Sequence, residues 1–174
     1  EGANPTTSYK HYLKGCNLGR GISCWSAAQH LFEGKGVDKD GIAGVKLLTK
    51  ACVGGSVDEC NDAANIFEQG KYGVPKKLDI ALKFNSVACK MDKGYCIYAA
   101  NTASKMAKDE LAAGLYEVAC EEAKDGEGCL KLGNALSEGK GIAKDEEKAK
   151  SYWTRACKDY EEAACKKVGM KMPE

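Results

Sequence analysis

Small and apolar residues recur along this chain at helical spacings, in columns that repeat. Counting back from Cys52, Cys89, Cys120 and Cys157, the residue eight before is small: Gly44, Ala81, Ala112 or Ala149. Four before stand Leu48, Asn85, Tyr116 and Trp153, and immediately before stands an alanine: Ala51, Ala88, Ala119 or Ala156. Counting forward from Cys24, Cys60, Cys96 and Cys129, the third residue is Ala27, Ala63, Ala99 or Leu132, followed by Ala28, Ala64, Ala100 or Gly133. Spacings of three, four and seven or eight define one face of a helix. The pattern predicts two amphipathic helices per copy, with small residues where neighbouring helices approach closely. Neither helix can bury its face alone, so each copy must stack on the next.

Punctuation agrees with the pattern. The first helix of a copy is predicted to run from the cysteine for about ten residues and to stop at Gly34, Gly70 or Gly139. Asp40, Asp79, Asp109 and Asp145 stand near the start of the second helix, where a carboxylate caps free amides and complements the dipole. The register divides residues 1–174 into one repeat domain: a half repeat at 8–23, repeats at 24–59 and 60–95, a short repeat at 96–128, a repeat at 129–164, and a stub at 165–174. The short copy lacks the Gly-x-Gly loop, and Ser104–Lys108 should carry it tightly from one helix to the next. Ser8 to Cys16 matches only the back half of a unit, as in a fragment of a longer array or a capping helix.

The ten cysteines form five pairs, and first cysteines follow one another at steps of 36, 37, 31 and 37 residues, the signature of an array. Within each pair one cysteine ends a helix and the other opens the next, so the short turn brings them within disulfide reach. The expected bridges are Cys16–Cys24, Cys52–Cys60, Cys89–Cys96, Cys120–Cys129 and Cys157–Cys165. Metal binding is the rival use, but no C-x-x-C occurs and the only histidines are His11 and His30. No metal or cofactor is expected, and the bridges imply an oxidising, secreted or periplasmic setting. The chain starts at Glu1 without a methionine, so export is read from the cysteines alone.

Charge narrows the partners. Lys+Arg 26 against Asp+Glu 25 leaves a net charge of +1 without a block of like sign, which argues against a nucleic-acid footprint. No apolar run is long enough for membrane insertion. A protein or an extended peptide is the expected partner.

The repeats resemble Sel1-like repeats, whose pattern runs A-x-x-L-G-x-x-Y-x-x-G-x-G-V-x-x-D-x-x-K-A-x-x-W-Y-x-x-A. The fourth copy carries it in Leu132-Gly133, Gly139-Lys140-Gly141, Asp145, Lys148-Ala149, Tyr152-Trp153 and Ala156-Cys157. With paired cysteines bounding each unit, the chain is similar to the Helicobacter cysteine-rich proteins over about residues 8–170. The resemblance implies an all-α, right-handed αα-superhelix (solenoid) of Sel1-like, TPR-like helix-turn-helix repeats stapled by disulfides. It also implies a bacterial interaction module, acting in host contact, envelope assembly or toxin immunity. Some such relatives are described as penicillin-binding proteins or weak β-lactamases. The one S-x-x-K, Ser137 to Lys140, falls on a helix-ending glycine turn without the companion motifs of those enzymes. No catalytic residue is assigned; the chain is read as a non-enzymatic binding module, and the alternative that the resemblance implies is a penicillin-binding protein or weak β-lactamase.

Stacked helix pairs bind through the concave face that their first helices line. Five residues after each opening cysteine stands a carboxamide: Gln29, Asn65, Asn101 or Asn134. Each can donate and accept, so a ladder of them suits an extended peptide backbone. Trp25 and Asn61 lie one residue after the cysteine and Phe32 eight after, with Trp25 and Phe32 as an aromatic end to the groove.

Overall fold

A computed structural model describes residues 4–173, which are entirely helical apart from turns and loops. The chain divides into two compact units, Glu1–Met91 and Asp92–Glu174. The first holds α1 (Pro5–Asn17), α2 (Gly21–Glu33), α3 (Gly41–Val53), α4 (Val57–Gln69) and α5 (Leu78–Met91). The second opens with a 3-10 turn, Lys93–Tyr95, and continues with α6 (Cys96–Lys105), α7 (Asp109–Glu121), α8 (Gly126–Glu138), α9 (Glu146–Lys158) and α10 (Glu162–Val168). Within each unit every helix packs on its neighbour in the chain. That is the order expected of stacked helix hairpins.

The small columns do the packing. Ala63, Ala81, Ala112 and Ala149 are buried, as are the alanines that precede each closing cysteine. In the first unit Ala28, Phe32, Val45, Leu48, Ala63, Ile66 and Val74 form one core cluster, with Leu47, Phe67 and Phe84 packed against it. The close approach is literal at Gly44, where an added Cβ would collide with the Phe32 ring.

Gly34, Gly70 and Gly139 end α2, α4 and α8 in the left-handed conformation, and Asp40 and Asp145 cap α3 and α9 by accepting from the Ala43 and Lys148 backbone N–H. The second glycine of the Gly-x-Gly loop has a different task. At Gly141, with φ 71°, an added Cβ would strike the Asp109 backbone, so the loop of one hairpin rests on the start of the preceding hairpin's second helix. Gly36 meets Pro5 in the same way in the first unit. In the second hairpin the longer loop places the Tyr72 carbonyl against Gly41 instead, with Tyr72 itself at φ 56°.

One boundary differs from the sequence reading. α2, α4 and α8 begin three residues before their opening cysteine, at Gly21, Val57 and Gly126. The turn between helices is therefore shorter than the cysteine spacing suggests, and α8 starts at a cap, the Asp125 carboxylate accepting from Gly128 N at 2.7 Å. α6 alone begins at its cysteine, and the 3-10 turn, capped by Asp92, replaces the missing first turn. The short copy has the tight connection expected of it: α6 is 10 residues long, and Ala107 at φ 55° turns the chain into α7.

The bridges join the last turn of one helix to the first turn of the next. Cys16–Cys24, Cys52–Cys60, Cys120–Cys129 and Cys157–Cys165 have Cα separations of 4.4, 4.7, 4.6 and 4.6 Å. Cys89 and Cys96 are also oxidised, and no described cysteine is free. This oxidised set fits an oxidising compartment. No helix among the described residues is long and apolar enough to cross a membrane.

Candidate functional site

Each unit contains a cleft between two successive first helices, floored by the second helix between them. In the first unit α2 and α4 enclose about 280 Å³ above Leu48 of α3. Trp25, Gln29 and Phe32 come from α2, and Asp62, Asn65 and Gln69 from α4. In the second unit the corresponding cleft, about 200 Å³, has Ser104 on α6, Tyr116 on α7, and Lys131, Asn134 and Glu138 on α8. Asn65 and Asn134 occupy the same repeat position, as do Leu48 and Tyr116. Two clefts built alike from different side chains follow from the repeat itself.

The four carboxamides are not equivalent. Asn134 Oδ1 accepts from the Trp153 indole N–H at 3.0 Å, and Asn101 Oδ1 accepts from the Tyr116 hydroxyl at 2.9 Å. Both rings stand four residues before a closing cysteine, so one column holds the other within a single hairpin. Asn101 Nδ2 also reaches Glu127 Oε1 at 3.4 Å. In the first hairpin the ring position is Leu48, which has nothing to donate, so Gln29 lines the cleft without such a partner among the described residues. Asn65 likewise lines the cleft without an internal partner among the described residues.

Trp25 is 42% exposed and spans the main cleft and a shallower one shared with Tyr12, Gln29 and His30. Phe32 is only 5% exposed; it is a core residue whose ring stacks on Tyr72 at 4.2 Å between centroids. Asn61 is half-buried on α4, with its Oδ1 buried and unpartnered. Residues not singled out in the sequence complete the site. Tyr72 lies in a loop longer than in the other copies, and that insertion was the available signal. Asp62 lies two residues after Cys60, in a column with Ser26, Tyr98 and Lys131, and so carries no periodic mark. Burial pushes its carboxyl above the ordinary range, against a hydrogen bond from the Trp25 side chain that favours the charged form.

His30 Nδ1 donates to the Lys35 carbonyl at 2.6 Å, with Tyr9 and Tyr12 packed around the ring. The Ser137 hydroxyl donates to the Glu146 carboxylate at 3.3 Å, and Lys140 pairs with Asp109 at 3.6 Å. Serine and lysine of the S-x-x-K are thus each engaged elsewhere. No group of three or more His, Cys, Asp or Glu residues among the described residues is placed to hold a metal ion.

Comparison with known proteins fits this architecture. Cytochrome c oxidase assembly factor 7A of Xenopus laevis is 27% identical over 154 residues, and the corresponding Xenopus tropicalis factor 25%. Each match takes in 86% of this chain and 53% of the relative, so the chain spans about half the length of these curated relatives. A Sel1 repeat protein from Oxalobacter formigenes superposes with a TM-score of 0.66 at 19% identity, over 98% of this chain and 72% of that one. The protective antigen c5321 of uropathogenic Escherichia coli superposes at 0.57 and 17% identity, over 98% of this chain and 46% of its own. Helicobacter pylori cysteine rich protein B aligns at 26% identity over 92% and 91% of the two chains, with a TM-score of 0.35. The Sel1 repeat model matches residues 22–56, 60–92 and 126–165, sparing the copy that lacks the glycine loop. With these matches over more than half its length, the chain belongs to the Sel1 repeat family, whose helix-pair arrays are scaffolds for protein–protein interaction.

Proposed function

We propose that this protein is a non-enzymatic scaffold that takes an extended segment of a partner protein into the clefts between successive first helices. The observation that supports it most is the recurrence of one cleft at one repeat position in both units, with Asn65 and Asn134 in its wall. The register behind it divides the array at 24–59, 60–95, 96–128 and 129–164. In the first unit Gln29 and Asn65 offer both donors and acceptors, Trp25 supplies an exposed ring, and Asn61 lies beside Cys60. In the second unit Asn134 has its oxygen held internally and offers its amide N–H groups instead, while Asn101 is engaged by Tyr116 and Glu127. The oxidised cysteines support a secreted or periplasmic setting. The Xenopus relatives are named as cytochrome c oxidase assembly factors, and a role as an interaction scaffold accords with that name.

The test is a random peptide library selected on the oxidised protein, with affinities measured by fluorescence anisotropy. Replacing Gln29 and Asn65 together by alanine should weaken selected peptides about 5-fold to 100-fold, since each lost hydrogen bond contributes about 0.5–1.5 kcal/mol. The melting temperature should hardly change. Asn134→Ala should instead lower stability, because it strands the Trp153 N–H. Peptides bound equally well by the Gln29/Asn65 double variant and by Trp25→Ala would refute the cleft as the docking surface.

A further inference from the structure

The first unit's cleft holds a charge that its surroundings leave without a counter-ion. Asp62 is half-buried on α4, its carboxylate accepts from the Trp25 side chain, and no cation pairs with it among the described residues. Asp58, the charge that acts on it, has the same sign. Lys71 also lines the cleft, from the exposed loop, and no ion pair joins it to Asp62 among the described residues. A carboxylate that has lost water and gained no cation attracts a positive group more strongly than a surface one does. Trp25 and Tyr72 line the same cleft, 42% and 44% exposed, and ring faces also favour cations.

Building on the peptide-docking reading above, we propose that this cleft selects a basic residue of the partner: an arginine or lysine side chain set against Asp62 and flanked by the Trp25 and Tyr72 rings. The guanidinium or ammonium completes the charge balance, while Gln29 and Asn65 hold the backbone on either side. The repeat supplies an internal contrast, since Lys131 occupies the Asp62 position in the second unit's cleft. Basic-residue selection therefore belongs to the first unit's cleft alone.

The experiment uses the oxidised full chain and a displayed library of random twelve-residue peptides. Selected peptides should share an arginine or lysine. Changing that arginine to citrulline, or the lysine to norleucine, should weaken binding roughly tenfold, the scale of a cation between a carboxylate and a ring. Asp62→Asn keeps the acceptor for Trp25, and on that variant the charged and neutral peptides should bind alike. If Asp62→Asn does not fold, the citrulline and norleucine comparison on the unmodified protein still decides. Peptides that lose affinity on Asn65→Ala yet bind equally well without their basic residue would overturn the charge selection and leave the docking reading standing. Peptides insensitive to every cleft substitution would overturn both.

Discussion

Gly133 offers a sharp test of the packing, because helix propensity and sterics oppose each other there. It sits inside α8, where alanine in place of glycine normally stabilises by roughly 0.5–1 kcal/mol. An added Cβ would lie 2.6 Å from Trp153 Cδ1, 2.6 Å from Nε1 and 3.1 Å from the Ala149 carbonyl oxygen. Favourable carbon–carbon contact begins at about 3.5 Å, so the overlap with the ring is about 1 Å. The ring cannot retreat freely, since Trp153 is buried and its N–H is held by Asn134. Overpacking costs about 1–3 kcal/mol, and breaking that hydrogen bond adds about 0.5–1.5 kcal/mol. Gly133→Ala should therefore be destabilising by about 0.5–4 kcal/mol net. Gly114 in α7 is the control, because nothing lies within 4 Å of its added Cβ. Gly114→Ala should stabilise by about 0.5–1 kcal/mol. Guanidinium denaturation followed by Trp153 fluorescence, in a variant with Trp25→Phe to silence the other tryptophan, measures both. A Gly133→Ala protein as stable as its parent would refute the account of how this hairpin packs.

Two further outcomes test other parts of the structure. Reduction should lower stability steeply, because each bridge closes a ring of about nine residues and contributes about 2.6 kcal/mol by the chain-entropy estimate; circular dichroism melts with and without reductant should differ widely, and coincident melts would make the bridges incidental. Glu59 is 6% exposed, and burial raises its carboxyl above the ordinary range. The folded state therefore binds that proton more tightly than the unfolded state, so the favourable contribution is full below the unfolded pKa and is lost as pH rises through the folded one. Glu59→Gln should consequently gain stability relative to the parent as pH rises from acid to neutral, and a difference that does not vary with pH would refute the burial argument.

The hairpin order and the glycine stops were legible in the sequence because each follows from local chemistry repeated in register. A left-handed stop at Gly139 and a carboxylate cap at Asp145 need only the residues beside them. The helix starts were less legible. Asp125 caps Gly128, so α8 begins ahead of Cys129, and a reading anchored on the cysteine places that start one turn late. At the site, periodicity marked Asn65 and Asn134 but could not show that Asn134 is tied to Trp153, which is 19 residues away. Phe32 shares its column with Glu68, Ser104 and Ser137, so nothing periodic reveals that it fills the space above Gly44. Asp62 and Tyr72 depart from the repeat, and a search for recurring columns passes over them.

That contrast between recurring and singular residues separates support from recognition. In the second unit the column of large residues and the column of carboxamides are one device: Tyr116 and Trp153 each donate to the asparagine of their own hairpin, giving the buried ring donor its partner and fixing the amide. The first hairpin lacks the donor, because Leu48 stands in the ring position, and its carboxamide is released. Its ring instead comes from the neighbouring loop, where Tyr72 stacks on Phe32 in the cleft that Asp62 also lines. One repeat plan thus yields a braced cleft in one unit and an open, aromatic cleft lined by Asp62 in the other. Substitutions in the braced cleft should register first as lost stability, whereas those in the open cleft are free to change what is bound.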